Sequence, residues 1–368
     1  MKNKGLLVGL IAIAIFVIGY FVWKSSNNPV SKDKEIIKIG AILPLTGDLA
    51  TYGQSGQEGM EIALDEFNKE FPNKVKLVLE DDKGTVKDGI SAINKLITND
   101  KVQIIMGSMS SGVTLGIAPI VEKNKVVLVA PTSTASEVTN AGDFIFRICV
   151  SDEYEGKAMA DYVADSMKYD KIGVVYINND YGVGLKNNFS KEMSVKNKNI
   201  DFEQGYDPKI TDFKTIVQKL KDAKVDLLYI VAQKEQLNFF KACRELDYKP
   251  QFTGSTMIED KELLGELQSF LKGTKYTFRS YDPTSQQKVS SSFVSKYKAK
   301  YNKTPDFYAA SVYDATRLIL HSVVKANNTG NDLKSFLYSV KNYEAVTGII
   351  SFDANGDVNQ GFTIKEIE

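Results

Sequence analysis

Two short runs of hydroxyl side chains sit directly after apolar strands: Ser108, Ser110 and Ser111 follow VQIIM, and Thr132, Ser133 and Thr134 follow VVLVA. The first run leads into a helix with an apolar stripe through Val113, Ile117, Ile120 and Val121. Free backbone N–H groups together with hydroxyls at such strand-to-helix junctions hold a carboxylate or another small anion. The same residues serve equally as helix N-caps, their commonest role, and the sequence alone leaves both readings open. Opposite charge is near: Asp152 and Glu155 follow the strand that ends in Cys149, and Tyr181 opens a later loop. A carboxylate there would hold an ammonium group, and tyrosines would wall an apolar substituent. Asp152 would equally cap a helix beginning at Glu153.

Covalent chemistry finds little support. The single histidine, His321, lies in the helical stretch DATRLILHSVV with no second histidine to share a zinc ion, and no Gly-x-Ser-x-Gly elbow exists. No Walker A sequence occurs, and YGVGLKN at 181–187 lacks the third glycine of a dinucleotide fingerprint. The acidic string DANGD at 353–357 lacks the downstream Glu of a calcium loop and reads as a turn. Neither a catalytic constellation, nor a metal site, nor a cofactor is expected.

The elements that must position the hydroxyl loops alternate regularly. The stretch IKIGAILPLTGDLATYG at 37–53 runs from a strand buried on both faces into a Pro- and Gly-containing loop, then a helix. In that helix Met60, Ala63, Leu64 and Phe67 form one stripe, and Gly53, Gly56 and Gly59 permit close approach of a strand or a ligand. Further strands are expected at 75–80, 102–106 and 126–130. A second series follows: helix 154–168, strand 172–177, helix 182–196, strand 201–206, helix 211–222, strand 226–231, helix 235–246. The C-terminal third reads as helices 285–301, 307–326 and 331–340, then a strand pair around Asn355–Gly356. Such alternation gives an α/β fold with parallel sheets, and two series of this size suggest two lobes.

The 368 residues suffice for two domains, and 46 basic residues balance 46 acidic ones, which gives no field that would favour nucleic acid. Lys2 and Lys4 precede an uncharged run from Gly5 to Trp23, long enough to span a bilayer. Its length and its lack of a small-x-small end favour a retained anchor over a cleaved signal peptide, with everything after it outside. Residues 25–35 read as a polar tether of at most ~35 Å. Cys149 and Cys243 lie in apolar contexts and read as two separate buried thiols.

In combination, IKIGAILPLTGDLATYGQSGQEGMEIALDEFN at 37–68, GSMSSGVTLGIAPIVEKNKVVLVAPTSTASEVT at 107–139, FRICVSDEYEG at 146–156, YKAKYNKTPDFYAASVYDATRLI at 297–319 and GIISFDANGDV at 348–358 resemble one family. They are similar to the extracellular amino-acid-binding proteins of ABC importers, the leucine/isoleucine/valine-binding group with a type I periplasmic-binding fold. The resemblance implies two Rossmann-like lobes, a Venus-flytrap, joined by three crossovers near 150–153, Tyr281 and Thr347. Lobe one would comprise 36–151 and 281–347, and lobe two 152–280 and 348–368. It implies that Ser111 holds a ligand carboxylate, that Thr132 offers a backbone contact and Thr134 touches carboxylate or amine. Tyr52 and Tyr181 would line the cleft, with Asp152 at an acidic hinge position. Two positions depart from the family pattern: Thr256 stands where an acidic residue meets the ligand ammonium, and Gln233 stands at an aromatic position. Unless Asp152, Glu155 or Glu259 substitutes, an amine-free carboxylate or amide competes with a neutral amino acid as ligand. The implied partner is an ABC permease and the implied state a monomer; a sensor ectodomain with a separate membrane partner is the alternative.

Overall fold

A computed structural model of the chain describes residues 36–279, 281–358 and 361–368, apart from the side chain of Lys261. The apolar segment and the tether expected at 1–24 and 25–35 lie outside the described residues. Among the described residues no helix is long and apolar enough to cross a membrane.

Two parallel sheets, each with its own core, form the two lobes. The first comprises β1 (Ile37–Leu43), β2 (Val75–Asp81), β3 (Ile104–Met106), β4 (Val127–Ala130) and β5 (Ile145–Arg147), in the order β2-β1-β3-β4-β5. The second contains β6 (Ile172–Ile177), β7 (Phe202–Tyr206), β8 (Leu227–Val231), β9 (Gln251–Gly254) and β10 (Lys275–Phe278). Its order is β10-β9-β8-β6-β7, with β13 (Thr363–Glu366) added antiparallel to β10. Both lobes therefore repeat one doubly wound order, which reverses between β1 and β3 and again between β6 and β8. Loops at the carboxyl ends of strands beside such a reversal are where this architecture binds ligands.

Local sequence explains the helices that flank these loops. In α1 (Ala50–Glu70), a Cβ on Gly59 would lie 2.0 Å from the Ala309 carbonyl oxygen, so glycine is what lets α10 (Phe307–Lys325) pack against α1. A Cβ on Gly53 would likewise meet the Pro44 carbonyl at 2.0 Å, which seats the start of α1 on the loop after β1. Helix α3 (Ser111–Asn124) follows β3, and α4 (Asp152–Ser166) and α5 (Asp180–Val195) open lobe two. Helix α4 starts at Asp152, and Ser151 is its N-cap, accepting the Glu153 N–H. A helix at Lys261–Leu271 and strands β10 and β13 had no counterpart in the sequence reading.

The C-terminal segment corrects the expected boundary at Thr347. Ile350, Phe352 and Val358 belong to the lobe-one core, and the chain joins lobe two's sheet only at β13. The cause is a buried ion pair: Arg147, 0% exposed, donates from Nε and Nη2 to the two Asp357 oxygens, both at 2.6 Å. The third crossover thus follows Val358. The regular hairpin is also earlier than expected, Tyr343–Ala345 with Gly348–Ile350, while the Asn355–Gly356 turn is closed by a single bridge, Phe352 with Val358. Asp314 holds the hairpin turn by accepting from the backbone N–H groups of Val346 and Thr347 and from the Thr347 hydroxyl.

Candidate functional site

A cavity of about 500 Å³ opens between the lobes where the two sheet reversals face each other. Of the eight residues singled out from sequence, six line it: Tyr52, Ser111, Thr132 and Thr134 from lobe one, Tyr181 and Gln233 from lobe two. Each enters from a loop or helix start at a strand's carboxyl end, as the doubly wound order dictates.

Buried hydroxyls fix the two lobe-one loops to one another. Ser108 donates to Asp82 Oδ2 at 2.6 Å, Ser133 donates to the Ser108 carbonyl at 2.9 Å, and Thr114 and Ser133 share a hydrogen bond of 2.7 Å. Burial raises the Asp82 carboxyl's pKa, against the bonds from Ser108 and the Gly84 N–H. Thr132 donates to the Met109 carbonyl at 3.0 Å, and Ser111 Oγ accepts the Ala135 N–H at 3.2 Å. From behind, Arg147 Nη1 donates to the carbonyls of Thr134 and Ala135. Ser108 and Ser133 are therefore spent on structure, the Ser111 hydroxyl proton has no acceptor among the described residues, and Thr134 lines the cavity with its hydroxyl beside the Asp152 carboxyl. The cap reading fails for this loop, because Ser110, the N-cap of α3, makes no side-chain cap bond.

The other two residues stand apart from this cavity. Asp152 does not line it: its carboxylate is buried at the first crossover, and neither oxygen reaches hydrogen-bonding geometry. Burial pushes its pKa up to about 8, with the neighbouring Glu155 adding to the rise. The Thr134 hydroxyl and the guanidinium groups of Arg279 and Arg147 pull the other way. Thr256 lines an adjoining cavity of about 350 Å³, which shares Tyr52, Met257, Arg279 and Tyr308 with the first. The acids weighed as substitutes for it do not line the main cavity either. Glu155 Oε1 accepts the Thr256 N–H at 2.8 Å and the Thr277 hydroxyl at 2.6 Å, and Glu259 accepts the Tyr276 hydroxyl at 2.9 Å.

Sequence reasoning missed Arg279 and Tyr308. Arg279 directly follows β10, so the strand-end rule that found Thr132 would have found it had β10 been recognised. Tyr308 stacks on Tyr52 with ring centroids 4.3 Å apart, and its hydroxyl lies 3.1 Å from Met257 Sδ across the lobes. Tyr181 donates to Ser255 Oγ at 3.0 Å, and burial raises its pKa well above the ordinary phenol value. The rims are bridged as well: Lys234 donates to the Thr51 hydroxyl, and Asn188 Nδ2 donates to Ser136 Oγ at 2.7 Å. Cys149 and Cys243 are buried free thiols, the former pushed up to about 12 by burial. Among the described residues, no group of three or more His, Cys, Asp or Glu side chains is placed to hold a metal ion.

The sequence and the fold are similar to those of known proteins. The chain is 28% identical over 333 residues to Leu/Ile/Val-binding protein homolog 3 of Brucella melitensis, covering 88% of this chain and 89% of that one. Among solved structures, a leucine-binding protein LivK from Thermotoga maritima matches with a TM-score of 0.83 at 27% identity, over 90% of this chain and 96% of that one. The branched-chain amino acid transporter substrate-binding protein LivJ from Streptococcus pneumoniae, solved with isoleucine, matches with a TM-score of 0.79 at 25% identity, over 88% and 93%. These relatives are solute-binding proteins, not enzymes. A family model described as "Periplasmic binding protein" matches residues 36–368, and the chain belongs to that family, as a type I periplasmic binding protein of the leucine/isoleucine/valine-binding kind.

Proposed function

We propose that the protein captures a small carboxylate solute, foremost a neutral amino acid, in the interlobe cleft and delivers it to an ABC permease. The observation that carries this reading is the pair of lobe-one loops, which bring Ser111 and Thr134 to the wall of the cavity that Tyr181 and Gln233 line from lobe two. The carboxylate docks on the hydroxyls and N–H groups at the start of α3, and the side chain lies toward Tyr52 and Tyr181. Contacts made only when both lobes reach the ligand favour the closed arrangement. The relatives' names put leucine, isoleucine and valine first in any screen. The apolar segment Gly5–Trp23 anchors the chain, with the binding unit extracellular or periplasmic, working as a monomer, and the tether raises its effective concentration at the permease.

A second reading, a carboxylate without an amine, is favoured by Thr256 in place of an acid. A thermal-shift screen of the full-length protein, unfolded and refolded to strip carried-over ligand, separates the two. A ligand at 100 times its Kd stabilises by about 2.7 kcal/mol. A response to neutral amino acids supports the first reading; silence from them with a response to amine-free carboxylates supports the second.

A further inference from the structure

Among the described residues, three polar atoms around the boundary between the two cavities have no hydrogen-bond partner: Arg279 Nε, the Tyr52 hydroxyl and Thr256 Oγ1. Tyr52 is 8% exposed and lines both cavities, as does Arg279, whose side chain is 14% exposed; Thr256 lines the second cavity. Buried donors are paired in folded proteins, and an unpaired one costs free energy that a suitably placed acceptor recovers. Arg279 is held in place without being used up. Its guanidinium lies 4.8 Å from the Phe307 ring centroid, and among the described residues it forms one ion pair, Nη2 to Glu155 Oε2 at 3.6 Å. Glu155 in turn is fixed through Oε1 by Thr256 and Thr277.

We propose that Arg279, Tyr52 and Thr256 form a second subsite, which selects ligands carrying an uncharged oxygen acceptor, such as a carboxamide, in addition to the carboxylate. The assignment rests on the cleft reading above and narrows its ligand class. An uncharged acceptor fits better than a second carboxylate, because Glu155 already balances the Arg279 charge and a further anion would stand beside it. The neighbouring volume of about 350 Å³, bounded by Phe278, Leu264 and Phe307, gives room for the group that bears the acceptor.

Matched ligands test it in the stripped full-length protein. Asparagine is compared with its isostere leucine, and glutamine with norleucine. The amine-free pair succinamate and 4-methylpentanoate repeats the first comparison without an ammonium group. Titration calorimetry on wild type should show the amide of at least one pair bound at least tenfold more tightly than its hydrocarbon counterpart. Arg279→Met should erase that preference while leaving the hydrocarbon ligand within about threefold. Equal or tighter binding of the hydrocarbons by wild type overturns the subsite and leaves the cleft reading standing. Equal loss of both members in Arg279→Met places the ligand carboxylate at Arg279 and overturns it too. Discrimination confined to the amine-free pair supports the subsite and removes the amino acid reading. Binding of none of the six overturns both.

Discussion

Replacing Asp357 by Asn strips the anion from a guanidinium that has no access to water. Arg147 keeps its bonds to the Thr134 and Ala135 carbonyls and to the Thr139 hydroxyl, but its charge then has no anionic hydrogen-bond partner in a site where it is 0% exposed. Removing one member of a buried pair costs about 3–5 kcal/mol, because the survivor remains desolvated. With an unfolding entropy of about 2.1 cal/mol/K per residue, a unit spanning Ile37–Glu368 loses roughly 1.4 °C per kcal/mol, so Tm should fall by ~4–7 °C. The control is Lys157→Ala, which breaks exposed pairs to Asp161 and Glu192 worth about 0–1 kcal/mol. Scanning calorimetry of the three proteins without ligand reads the difference. Because Arg147 also tethers the carbonyls of Thr134 and Ala135, ligand affinity should drop with stability. An Asp357→Asn midpoint indistinguishable from that of Lys157→Ala would refute the claim that this pair pins the C-terminal segment and the binding loop.

Three further outcomes follow from the geometry. Folded Asp152 keeps its proton up to about pH 8, whereas an unfolded Asp releases it near 4, so the native state binds more protons between those values and stability falls as pH rises through that window. Asp314, raised to about 6 by burial, has the same sign over a narrower range; Asp152→Asn should therefore flatten the decline of Tm between pH 6 and 8, and an unchanged slope would contradict the assignment. Gly59→Ala should destabilise by about 1–3 kcal/mol in urea titration, since its methyl meets the Ala309 carbonyl at 2.0 Å. Asn188→Ala removes an interlobe bond worth about 0.5–1.5 kcal/mol, which should weaken ligand binding by roughly two- to tenfold with no comparable loss in the unliganded Tm.

Much of the candidate site was legible because its residues obey a local rule. Ser111, Thr132 and Thr134 each follow a short, wholly apolar strand, and parallel strands buried on both faces read clearly as such runs. What the sequence hid was set by distance along the chain. Asp152 has the right charge next to a strand, yet the crossover buries it away from the cavity, and nothing in SDEYEG signals that burial. Asp357 looked like one side of an exposed turn; its partner Arg147 lies 210 positions earlier, so the lobe boundary at Thr347 fell too soon. Arg279 was missed because KYTF is too short and too mixed to stand out as a strand. Its importance comes from three crossovers converging on one small cavity lined by Cys149, Arg279 and Phe362.

The proposed role of Ser111 and Thr134 is to hold the ligand carboxylate in the interlobe cleft. Titration calorimetry of stripped wild type and of the Ser111→Ala/Thr134→Ala double variant, against the tightest ligand from the screen, tests it. Each charge-assisted hydrogen bond is worth about 1.5–3 kcal/mol, so wild type should bind one-to-one and the variant, still melting cooperatively, should lose at least about 100-fold in affinity. Affinity retained within a few fold would contradict it and place the ligand elsewhere.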